Sequence, residues 1–116
     1  MDNIKNDKYY LSKIIDDIYF IQEQTKEIKD AKEFDDNELV NSAVNFKFIQ
    51  ISENSKKLST KCLESNKDIP WHKITGMRNK IVHNYDNVFI DVIFDTITKD
   101  LPVLIVQLKE LFDKIS

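Results

Sequence analysis

One glycine and two prolines in 116 residues leave this chain almost nothing from which to build tight turns. Hairpin turns rely on glycine and other residues that tolerate unusual backbone angles, and a β-sandwich or barrel needs many of them. A few long helices need very few. The expected fold class is therefore all-α. The length fits a single domain over residues 1–116 with a core of its own. With 41% hydrophobic and 32% charged residues, the chain balances as a folded domain and not as a disordered segment.

Apolar spacing places the helices. Leu11, Ile14, Ile15, Ile18, Ile21 and Ile28 recur at three- and four-residue steps and predict a first helix from about Asp7 to Lys29. Residues 30–36 look like a charged connector, with Asp35 or Asp36 as N-cap of the next helix. That second helix carries Val40, Val44, Phe48, Ile51, Leu58 and Cys62 on one stripe, widened by Ala43, Phe46 and Ile49. A face this broad suits burial by a second copy of the chain as well as by a neighbouring helix. Residues 65–69 form a loop, and Pro70 suits the first position of a third helix with Trp71, Ile74, Met77 and Ile81 buried. Gly76, inside that helix, suggests close approach of another backbone or of a ligand, because glycine there costs roughly 1 kcal/mol against alanine. A last helix from Val88 to Ile115 contains Pro102, which should kink it. The expected architecture is an antiparallel bundle of four to five helices, assembled as a homodimer.

Several function classes are excluded or disfavoured. The single cysteine, Cys62, cannot form an internal disulfide, and no Cys or His spacing suggests a metal; no cofactor is expected. No apolar run approaches the ~20 residues of a membrane span, and the N-terminal residues lack the build of a secretory signal. A cytoplasmic, reduced protein is expected. The net charge of −3 argues against non-specific coating of nucleic acid. The charge is uneven, however: residues 56–80 carry seven basic and two acidic side chains, a local +5. Such a block is either a solvated lysine face or an anion-binding patch.

The positive block leads into Met77-Arg78-Asn79-Lys80-Ile81-Val82-His83-Asn84-Tyr85. Arg78 is the only arginine beside sixteen lysines. A guanidinium grips phosphate through a fixed fork of donors, and histidine exchanges a proton near neutral pH. Together they suit metal-free cleavage of a phosphodiester. Five residues apart on a helix, Arg78 and His83 lie about 140° apart, whereas Asn79 and His83 share a face. Either the helix ends near His83, or two copies of the motif face each other across a dimer axis. The plainer possibility is a capped helix end and an arginine paired with a carboxylate. His72, Cys62 and Trp71 are expected to be structural.

At these residues the chain resembles the HEPN superfamily, and specifically its HepT-like toxins, whose hallmark of Arg, four residues, His, one residue and Tyr is matched by Arg78, His83 and Tyr85. The similar landmarks include Asp7-Lys8-Tyr9-Tyr10-Leu11, Ile69-Pro70-Trp71 and Leu101-Pro102. The chain departs from the pattern at Ile51-Ser52-Glu53-Asn54, where relatives usually show Ile-Gly-Glu-Ala, and at Phe46, where many carry arginine. The resemblance implies a homodimeric helical bundle acting as a metal-independent endoribonuclease, the toxin of a HepT/MntA toxin–antitoxin pair. It implies catalytic roles for Arg78, His83 and Asn79, RNA contacts from Lys73 and Lys80, and modification of Tyr85 with AMP by an MntA-like nucleotidyltransferase antitoxin. A non-catalytic dimeric module modified by such a partner, or a nucleotide-binding regulatory bundle, would need the same cations.

Overall fold

A computed structural model describes residues 6–83 and 87–115, with the backbone alone described for residues 83, 87 and 88. Among these residues every regular element is helical: α1 Asp7–Thr25, α2 Ala31–Asp36, α3 Glu38–Ser55, α4 Thr60–Glu64, α5 Trp71–His83, α6 Asn87–Asp95 and α7 Leu101–Lys114. A π-helical turn, Thr96–Asp100, joins α6 to α7. The all-α expectation holds.

α1 is the centre of the bundle. Leu11, Ile14, Ile18 and Ile21 are fully buried at helical spacing, enclosed by α3 on one side and α7 on the other. Both neighbours run antiparallel to it. Asp7 at the start of α1 meets Ser59 beyond the end of α3, while Asp17 meets Lys47 further back. Lys8 donates to the carbonyl of Ile115 at 3.0 Å and also lies over the Phe112 ring. The buried Asp7 carboxylate accepts from both the backbone N–H and the hydroxyl of Ser59, at 2.7 and 2.6 Å. That hydroxyl in turn caps α4 by accepting from the Cys62 N–H. A buried carboxylate supplied with donors in this way anchors the first helix to the middle of the chain.

The structure revises four of the expected boundaries. α1 stops at Thr25 instead of Lys29, leaving Ile28 half-buried beyond its end. The expected connector over residues 30–36 is instead a short helix: the Asp30 side chain caps it by accepting from Glu33 N–H, and Phe34 enters the core fully buried, against Phe94. α3 is capped by Asn37, whose side chain accepts from Val40 N–H, and not by Asp35 or Asp36. The stripe expected to run on to Cys62 is broken at Ser55, after which Leu58 and Cys62 are buried from a separate turn and α4.

Pro102 interrupts the last helix, as expected, but through the preceding π turn. The Leu101 N–H reaches back five residues to the Thr96 carbonyl. Proline then falls in the first turn of α7, where its missing N–H costs least. Gly76 does not serve a close approach within the chain, since a methyl group added there would meet nothing within 4 Å. No helix among the described residues is long and apolar enough to cross a membrane.

Candidate active site

α5 starts directly after Pro70, which sits one position earlier than expected and lends its carbonyl to the Ile74 N–H. The indole N–H of Trp71 donates to the Asn66 carbonyl and fixes the entry of the helix. Ile74 and Met77 are buried against α3, with Trp71 and Ile81 half-buried beside them. Ser52, fully buried on α3, donates to the Thr75 carbonyl at 2.7 Å and ties the two helices one turn before Arg78. Its hydroxyl therefore has a defined partner at the crossing.

Arg78 follows the buried Met77 and is half-exposed. Its Nε lies 3.1 Å from Glu53 Oε1 on α3, and the same carboxylate is 3.9 Å from Lys56. Lys73 donates to Asp100 at 2.6 Å, bridging α5 to the end of the π turn. Asn79 and Lys80 are exposed on the outer surface of α5. Three cations of the positive block, Lys56, Lys73 and Arg78, are thus already paired with carboxylates. The helix continues unbroken to His83, so positions 78 and 83 do lie about 140° apart on one cylinder. The His83 side chain and Tyr85 lie outside the described residues.

Glu53 is the participant that sequence reading left without a role. It stands in the Ile51-Ser52-Glu53-Asn54 landmark, but 25 positions separate it from Arg78, and only the packing of α3 on α5 brings them together. Among the described residues no group of three or more His, Cys, Asp or Glu side chains is placed to hold a metal. His72 is exposed, bearing no core role, whereas Cys62 is buried as expected. Burial, and secondarily the neighbouring Asp7 carboxylate, pushes the Cys62 thiol up to about 11.

Beyond this local geometry, the chain matches a known family over most of its length. The family described as "Ribonuclease HepT-like" matches residues 14–111. The chain belongs to the HepT-like ribonuclease family. This HepT-like chain is 33% identical over 111 residues to a "Putative RNase" of Caldanaerobacter subterraneus subsp. tengcongensis, covering 96% of this chain and 98% of that one. It is 31% identical over 115 residues to the "Probable ribonuclease HepT" of Thermococcus cleftensis, covering 96% of both. A "Gamma-glutamylcyclotransferase and putative RNase" of Methanocaldococcus jannaschii is 30% identical over 113 residues, and there the HepT-like chain spans 50% of the relative's length. No solved structure matches it.

Proposed function

We propose that this HepT-like chain is a metal-independent endoribonuclease and the toxin of a toxin–antitoxin pair, with a composite site formed by Arg78, Asn79 and His83 from two protomers. The observation that carries the proposal is the sole arginine, half-exposed on α5 and oriented by Glu53, in a chain of a ribonuclease family. A surface ion pair of this kind contributes only ~0–1 kcal/mol, so a phosphate can take the guanidinium from the carboxylate. Arg78 then holds the non-bridging oxygens and stabilises charge as it develops on them. One His83 takes the proton of the 2′-hydroxyl. The 2′-oxygen attacks phosphorus, the bond to the 5′-oxygen breaks, and the partner protomer's copy of the histidine protonates that leaving oxygen. Each proton transfer is worth roughly 10²–10⁴-fold. Asn79, four positions before His83, orients the imidazole or the phosphate, and Lys73 and Lys80 add attraction for RNA at the rim.

Two protomers bring Arg78 of one chain to His83 of the other, since the two positions lie about 140° apart on α5. The outer face of α3 supports such an assembly. Leu39, Phe46 and Glu53 recur at seven-residue steps, Leu39 is 83% exposed, Phe46 is 57% exposed, and the stripe ends at the partner of Arg78. In this assembly a nucleotidyltransferase antitoxin silences the toxin by transferring AMP to the Tyr85 hydroxyl. The added phosphate and base then compete with RNA for Arg78.

The test is cleavage of RNA in the presence of EDTA. Arg78→Ala and His83→Ala should each abolish cleavage and growth inhibition while circular dichroism stays unchanged. Activity that survives both substitutions, or that disappears with the chelator, refutes the assignment. Incubation with the cognate nucleotidyltransferase and ATP should add mass in steps of one AMP, and Tyr85→Phe should take up none.

A further inference from the structure

A cleft of about 390 Å³ opens between α1 and α3 and contains none of the motif residues. Its α3 wall is Lys47, Gln50 and Asn54, at three- and four-residue steps, continued by Lys57 in the turn after α3. Its α1 wall is Tyr9, Tyr10, Lys13 and Asp17. On α3, Lys47, Gln50 and Asn54 turn by about 70° from the Leu39–Phe46–Glu53 stripe, so the cleft stands beside that face, and neither Arg78 nor Glu53 lines it.

Its cations differ from those near the motif. Lys13 lies 5.5 Å from the Tyr9 ring centre and Lys57 lies 5.5 Å from that of Tyr10. Neither makes an ion pair with a carboxylate among the described residues. Lys47 sits over the Phe20 ring and is held by Asp17 at 3.1 Å. Asp17 is the one carboxylate of the lining, and it is buried and committed to that lysine. Desolvation outweighs the lysine and raises its pKa. Three lysines against one carboxylate give the cleft a local +2 on a chain of net charge −3. The tyrosines meet edge to face at 5.2 Å, and Tyr9 is 57% exposed, offering a flat aromatic surface at the mouth. Lysines that follow a backbone beside an exposed aromatic ring are the features with which proteins hold single-stranded nucleic acid. Gln50 and Asn54 add amide donors and acceptors suited to base edges or ribose hydroxyls.

We infer that the α1–α3 cleft binds a segment of single-stranded RNA outside the cleavage site, with a base stacked on Tyr9 and the flanking phosphates held by Lys13, Lys47 and Lys57. The inference rests on RNA being the substrate of this chain. It makes the cleft a docking groove that retains the strand while Arg78 and His83 act elsewhere on it. The open, polar lining fits a passing strand better than an enclosed small molecule.

Fluorescence anisotropy with labelled oligouridine tests this on the full chain. The double substitution Lys13→Ala/Lys57→Ala should weaken binding at least about fivefold and lower the slope of log affinity against log salt by about 1.4, near 0.7 for each lost phosphate contact. Tyr9→Ala should weaken binding by about fivefold or more with the slope unchanged, and Tyr9→Phe, which keeps the ring, should bind like the wild type. Equal affinity and slope in the double variant and the wild type would overturn the inference. So would AMP binding at micromolar concentration, lost in Tyr9→Ala, with oligouridine ineffective, which assigns the cleft to a free nucleotide. Cleavage by wild type and by Arg78→Ala is scored separately. If the wild type cleaves no RNA, the nuclease proposal fails and the groove's part in cleavage fails with it, while an affinity loss in the double variant still shows that the cleft holds RNA.

Discussion

Arg78 and Cys62 show how local surroundings decide what a reactive side chain can do. Arg78 stays at the surface, and Glu53 fixes the direction of its guanidinium without burying it. That combination suits a group that must exchange one anion for another. Cys62 is the opposite case. Burial and the nearby Asp7 carboxylate disfavour its thiolate, so the chain's single thiol behaves as a small core side chain. With the thiol raised to about 11 in the folded state, alkylation by iodoacetamide at pH 8 should be on the order of 100-fold slower than in the unfolded chain, which mass spectrometry in and out of denaturant reads directly. The linkage has a definite sign. A pKa raised on folding stabilises the native state below the unfolded value and loses that contribution as pH climbs toward 11. Denaturant midpoints of wild type should therefore fall between about pH 9 and 11 more steeply than those of Cys62→Ala.

Among the elements, α2 does more for the fold than its six residues suggest. Its one large apolar side chain, Phe34, is fully buried between α3 and α6, and truncating it to alanine should cost about 3–5 kcal/mol. For a chain of this size that is a drop of about 10–20 °C in melting temperature. α2 was not legible in the sequence because a single phenylalanine among charges has no periodicity. α1, α3, α5 and the α6–α7 rod were legible because each repeats apolar residues every three or four positions. The π turn was half legible. Proline announces an interruption but not the form it takes, which depends on the carbonyls behind it finding partners. At the candidate site, the solitary arginine drew attention to α5, where the structure places it half-exposed against Glu53. The Glu53 contact and the α1–α3 cleft were hidden, since each is assembled from residues distant in sequence by helix packing alone.

For the whole molecule, the outer stripe of α3 leads to the remaining prediction. If Leu39 and Phe46 meet their copies in a second protomer, light scattering should give a mass of about twice 13.7 kDa, and Phe46→Glu should halve it. The variant should also lose RNA cleavage while keeping its helical signal, because two motifs no longer share one cleft. A monomeric wild type would remove the composite site. The pairing of α1 with α7 has a separate consequence, for the order in which the molecule can become native. Lys8 bonds Ile115 across 107 positions, and the most deeply buried helix is walled in by the last one. On a ribosome α1 emerges first, yet one side of it has no wall until α7 follows. During synthesis its isoleucines stay available to chaperones, and the final consolidation waits for α7. A bundle closed in this way becomes native only after α7 has been made.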